Sequence, residues 1–187
     1  MKSRKYGIKM VNGASEAEIT AVKDIASRTF MAEADEKKIA LQTIKEIPYL
    51  TIATSDKHSV PWNSVVFCAY DKNYNFYWIS SRDCLHSMNI AKNDNIAIVI
   101  YDSTVKEGVG IGVYIKGKAS VVKDSKEIKA GVKLLYERMR KPIPDADEFI
   151  GDSPQKLYRA TIEQVWVNDL KKKGGAMKHL RIRVHLQ

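Results

Sequence analysis

At 187 residues, with 44% hydrophobic content, the chain has the length and composition of one folded domain rather than of a disordered polymer. Two cysteines are too few for a disulfide scaffold, no apolar run nears the roughly 20 residues that cross a bilayer, and the basic start "MKSRKYGIKM" has no apolar segment behind it, so a cytoplasmic protein is expected. The net charge of +9 lies at the two ends, +4 in residues 1–10 and +5 in residues 168–187, and leaves the middle neutral.

In chain order, "SEAEITAVKDIASRTF" (15–30) predicts a helix with Ser15 as cap and Glu18 as its capping-box partner. A second helix fits 35–46 and ends before Pro48. The period then changes from helical to alternating. Strands are predicted at 49–55, 60–70 and 75–81, with turns at "DKH" and "DKNY". A short helix fits 84–92. "IAIVIYD" (96–102) reads as a strand buried on both faces, and "STVKEGVG" (103–110) as a loop. "IGVYIKGKASVV" (111–122) alternates but carries glycines, as in a strand that bends or passes close to something. An amphipathic helix at 125–139 and a final strand, or pair of strands, at 156–169 complete the pattern. The fold class is therefore mainly β with flanking helices (α+β), with about six antiparallel strands closing as a barrel. Residues 1–48 are expected to form a helical segment packing on the barrel, 49–169 the barrel domain, and 170–187 a basic C-terminal segment. No aromatic residue interleaves with the C-terminal lysines, so solvated ends are favoured over a nucleic-acid site.

Familiar catalytic motifs are absent, and "GVGIGV" (108–113) does not open a helix as a phosphate loop would. No metal site is expected, because none of the four histidines has a partner at ligand spacing. The stretch "WISSRDCLHSMNI" (78–90) carries more chemistry. A strand ending in Ser80 and Ser81, then Arg82, then a helix with His86 and Ser87 one turn in, offers hydroxyls, a guanidinium and backbone N–H groups to a phosphate. Ordinary capping by Ser81 or Asp83 explains the same residues. In "VPWNSVVF", alternation sends Trp62, Ser64 and Val66 to one face and Asn63, Val65 and Phe67 to the other.

The ordered set "YLTIATSDKHSVPWNSVVFCAYDKNYNFYWISSRDCLHSMNIAKNDNIAIVIYD", then "VYIKGKASVV", and more loosely "YRATIEQVWVND", resembles the FMN-binding split β-barrel proteins of the pyridoxamine 5′-phosphate oxidase type. The resemblance implies a six-stranded antiparallel split barrel and a homodimer with FMN between subunits. It implies ring contacts at Asn63, Ser64, Val65 and Val66, and phosphate contacts at Ser80, Ser81, Arg82, His86 and Ser87. It also implies an approach of the partner subunit's Trp166 to the flavin. Many members carry an arginine where Ser64 stands and Ser-x-Lys where this chain has Cys84-Leu85-His86. The ending "HLRIRVHLQ" departs from the substrate segment of the true oxidases. The expected function is thus a flavin oxidoreductase of unknown substrate and electron donor, with no catalytic side chain assigned. A non-catalytic flavin carrier or sensor is the alternative, and a nucleic-acid-binding barrel a more distant one.

Overall fold

The computed structural model describes residues 35–106, 110–169, 172–173, 176–177 and 180–186. The helix predicted over 15–30 lies outside the described residues. The chain divides after Asp35 into two units, and the second, from Glu36 onward, starts within the helix that spans 35–46 (α1).

An eight-stranded antiparallel sheet organises this unit. Its strands are β1 (Tyr49–Ser55), β2 (Pro61–Phe67), β3 (Ala69–Tyr70), β4 (Phe76–Ser81), β5 (Asn95–Tyr101), β6 (Gly112–Val121), β7 (Gln155–Asp169) and, later, β10 (Leu180–Val184). The short pair β8 (Lys172–Lys173) and β9 (Ala176–Met177) forms a separate two-stranded sheet. The order is β2-β1-β5-β6-β7-β4-β3, with β10 also on β7. The 15-residue β7 is the spine: it pairs with β6 along most of one side, and on the other with β4 through Gln155–Ala160 and with β10 through Val165–Asp169. The sheet curls into a half-barrel in which the edge strand β2 comes into contact with β4, next to the other edge. The expected mainly β split barrel is what the chain forms, with two strands more than the expected six.

Local chemistry explains the turns. Asp56 accepts from the backbone N–H of His58 and Val60, closing the β1–β2 turn with Ser59 at φ 65°. Asp71 does the same for Asn73 and Asn75 before β4, with Tyr74 at φ 58°. The single strand expected over 60–70 is divided at Cys68, whose N–H donates to the Pro48 carbonyl (2.9 Å). Before it the chain pairs with β1, and after it with β4.

Alternation sorts the side chains into two apolar clusters. Leu50, Ile52, Trp78, Ile98, Ile100, Val113 and Val167 fill the barrel with α1 residues Ala40 and Ile44. Tyr77, Leu157 and Phe149 lie on the other side of β4 and β7 under helix α3 (Ser125–Met139), with Ile128, Val132 and Leu135. Asp124 caps α3 by accepting from the Glu127 N–H (2.8 Å). The helix between β4 and β5, α2 (Leu85–Ile90), packs on β1 and β2 and so lies across the split. Buried Asn89 donates to the buried Thr54 hydroxyl (3.1 Å), and Asn93 to the Ser55 hydroxyl (2.9 Å), fixing α2 to β1.

Candidate functional site at the barrel split

The hydroxyl-rich stretch and the second strand meet at His86. Strand period two turns Ser64 inward on β2 beside buried Val66, and turns Ser80 to the barrel side of β4 beside Trp78. His86 projects from α2 between them. Its Nδ1 lies 3.1 Å from Ser64 Oγ and its Nε2 lies 3.0 Å from Ser80 Oγ. The Trp62 indole N–H donates to the same Ser64 Oγ (3.1 Å). His86 is only 7% exposed, and burial holds its pKa below the usual histidine value. The neutral ring therefore bridges β2 and β4 across the split.

The other phosphate candidates are spread out. Ser81 sits on the opposite face of β4 from Ser80, and its hydroxyl accepts from the Asp83 N–H (3.2 Å), closing the turn rather than capping α2. Helix α2 begins at Cys84 with no side-chain cap. Arg82 is exposed and stands 4.0 Å from the exposed Asp152, an ion pair too solvated to fix it in place. Ser87 is 2% exposed. Its hydroxyl makes no well-formed hydrogen bond but lies close enough to the Tyr158 phenol to offset part of the upward push that burial gives that phenol. Tyr158 stacks on Trp78 with centroids 5.6 Å apart.

Asn63 and Val65 point to the outer face of the sheet, where Val65 is 69% exposed. Register places Val65, Thr51, Val99, Tyr114, Trp166 and Arg183 opposite one another in one row across β2, β1, β5, β6, β7 and β10. Trp166 thus shares a face with Asn63 and Val65 but stands four strands away, about 19 Å. It is also ten residues along β7 from Lys156, the partner of Ser80. Tyr49 and Tyr101 extend this face, both at least half exposed, and Arg181 stacks over the Tyr114 ring at 4.1 Å. A shallow cleft of about 300 Å³ lies here, lined in part by Val99, Tyr101, Tyr114 and Asn168. Among the described residues no three His, Cys, Asp or Glu side chains are grouped to hold a metal ion, and no helix is long and apolar enough to cross a membrane.

The family model of pyridoxamine 5′-phosphate oxidase matches residues 36–169, most of the chain. The chain belongs to the pyridoxamine 5′-phosphate oxidase family. No curated protein matches it by sequence. Among solved structures it is similar to the heme storage protein HutZ from Vibrio cholerae, at 20% identity over 67% of this chain and 89% of that one, with a TM-score of 0.59. It is also similar to a heme binding protein from Mycobacterium smegmatis, at 18% identity over 71% of this chain and 52% of that one, TM-score 0.58. A third is General Stress Protein 26 from Bacillus anthracis, at 12% identity over 79% and 98%, TM-score 0.54. At these identities the likeness shows the fold alone.

Within the family fold, sequence reasoning left out Trp62 as a site residue, although its i, i+2 spacing to Ser64 in a strand was signal enough. It also left out Thr54 and Asn89, whose pairing depends on where α2 crosses and has no local signature. The buried imidazole makes stability fall with acid. The folded-state pKa of His86 is lowered, so the unfolded chain binds more protons between that pKa and about 6.5. The stability present above pH 6.5 should therefore be lost progressively as pH falls through that window. Urea midpoints between pH 5 and 7.5 should show this slope in wild type and a shallower one in His86→Gln.

Proposed function

We propose that this chain is an FMN-binding flavoprotein that works as a cytoplasmic homodimer and transfers electrons or hydride for a small-molecule substrate. The observation that carries the reading is the meeting of Ser64, His86 and Ser80 at the split, at the end of β4 that follows its aromatic residues. The residues fit the cofactor's two ends. Hydroxyl donors at the end of β4 suit a phosphate, with Arg82 near by on the surface. The outer face of β2, with Asn63, exposed Val65 and the neighbouring Thr51, suits the edge of a flat, partly apolar ring. When bound, the flavin itself supplies the redox chemistry. The protein's part is to bind, orient and shield it.

A second copy completes the arrangement. The outer row from Val65 to Trp166 is apolar or aromatic apart from Thr51 and lies on an open sheet face, the kind of surface a subunit interface covers. Trp166 is too far from Asn63 to share a ring with it in one protomer, so the partner subunit's Trp166 is the one that would approach.

The test is the visible spectrum of the purified protein before and after FMN is added, with sedimentation to read its mass. The expected result is a protein-bound flavin band on a dimer, with Ser80→Ala weakening FMN about tenfold through loss of one hydrogen bond to a charged group. Two solved relatives in this fold are described as heme proteins, and the same spectrum reads that case. A Soret band after hemin addition, with no flavin uptake, would overturn the assignment. A bound flavin that no reductant or substrate turns over would instead support a carrier or sensor.

A further inference from the structure

The hydrogen-bond geometry around His86 carries an inference that rests on the flavin reading and refines it. The Trp62 indole can only donate, so Ser64 Oγ accepts from it. Ser64 has one hydrogen of its own, and the imidazole Nδ1 is 3.1 Å away. If Nδ1 is unprotonated, it accepts that hydrogen. The ring proton then sits on Nε2 and is donated to Ser80 Oγ, 3.0 Å away. Among these four side chains every donor except the Ser80 hydroxyl then has an acceptor, and the Ser80 hydrogen is left to point at a ligand. In the other tautomer, Ser80 spends its hydrogen on Nε2 and has none to give. The two tautomers therefore assign Ser80 opposite roles. Neutral imidazole on its own favours the Nε2–H form, and burial keeps the ring neutral.

We propose that Trp62, Ser64, His86 and Ser80 form a positioning relay that joins the ring-side strand β2 to the phosphate-side end of β4, with His86 held as the Nε2–H tautomer so that Ser80, not His86, donates to the phosphate. Both imidazole nitrogens are engaged inside the protein, so His86 is not a counter-charge for the ligand. Ser64, whose side chain points away from the outer face of β2, acts on the phosphate through His86 and not on the ring.

Two measurements test this. The first is the ¹⁵N spectrum of histidine-labelled, ligand-free protein at pH 7.5, with the His86 signals assigned by their loss in His86→Gln. A pyridine-type Nδ1 and a pyrrole-type Nε2 are expected. The reverse pattern, an averaged one, or an imidazolium would overturn the relay, whether or not flavin binds. The second compares FMN with riboflavin, which lacks the phosphate. Ser64→Ala should weaken FMN about five- to tenfold and leave riboflavin unchanged, and Ser64→Thr, which restores the hydroxyl, should recover most of the loss. An equal loss for both ligands would mean that Ser64 serves the ring directly, and the relay would fall. A wild-type protein that takes up neither flavin would overturn the flavin reading and, with it, the donor role of Ser80. The tautomer would then stand as a structural strut alone.

Discussion

Replacing Arg138 by alanine should lower stability by about 3 kcal/mol, although the residue is far in sequence from everything it touches. Its guanidinium reaches from α3 to four backbone carbonyls. Nη1 donates to Cys68 O at 3.1 Å, and Nη2 donates to Ile44 O, Lys45 O and Ile47 O at 3.0 Å each. Nη2 has only two hydrogens, so three carbonyls share them. Ile44 and Lys45 are in the last turn of α1, whose carbonyls have no helical partner and form the negative end of the helix dipole. One planar cation thus caps α1, fixes the joint between β2 and β3 at Cys68, and stacks over Tyr70 at 5.4 Å. A hydrogen bond to a charged group contributes about 1.5–3 kcal/mol, and four that share one group do not add. A loss of about 3 kcal/mol corresponds to a fall in Tm of about 10 °C for a chain of this size. Arg138→Lys should recover only part of it, because an ammonium keeps the charge but not the fork. Urea unfolding of the two variants checks this, and a loss below about 1 kcal/mol for Arg138→Ala would show that water replaces the guanidinium at little cost.

Arg138 also shows what the sequence could not reveal. Its partners lie about 70 and 90 residues away, and nothing local marks it among the charges of an amphipathic helix. The elements built on periodicity were legible: "SKEIKAGVKLLYERM" is α3 to the residue, and "YLTIATS" is β1. The break at Cys68 has no local mark, because "VPWNSVVFCAY" keeps its β propensity through the residue at which the chain changes partners. β10 was hidden by its charge. "LRIRV" alternates as a half-buried strand should, with Val184 buried and Arg181 and Arg183 outside, but a basic run reads as solvated before it reads as periodic. The candidate site divides in the same way. Ser80, Ser81 and Ser64 were visible as hydroxyls at a strand end or on a strand, and period two already separates Ser80 from Ser81. The contact of His86 with Ser64, 22 residues away, depends on the path of α2 across the split and could not be read from spacing.

Gly117→Ala should cost about 3 kcal/mol or prevent folding, which is a large effect for one methyl group. At Gly117 a Cβ would lie 2.3 Å from the Thr161 carbonyl oxygen and 3.2 Å from its carbon. Both atoms are backbone, so no side chain can swing aside. The pairing of β6 with β7 shifts here: Lys116 faces Gln164, while Gly117 faces Ile162, leaving Glu163 as the extra residue of a bulge. The strand therefore both bends and passes close to its neighbour, which are the two meanings its glycine had in the sequence. Relief requires β6 and β7 to move apart or the bulge to slide, and a one-residue slide would turn the inward face of half of β7 outward. The bend also lies between Lys156, opposite Ser80, and Trp166 on the outer face, so it sets the angle between the phosphate end of the site and the face a second subunit would cover. A folded Gly117→Ala protein should accordingly dimerise more weakly than wild type, by sedimentation, as well as unfold at lower urea. Lys118→Ala, one residue on and exposed, loses only a surface ion pair with Asp94 and should change stability by less than about 1 kcal/mol. If Gly117→Ala matches Lys118→Ala in urea, the close approach of the two backbones is not what holds this position to glycine.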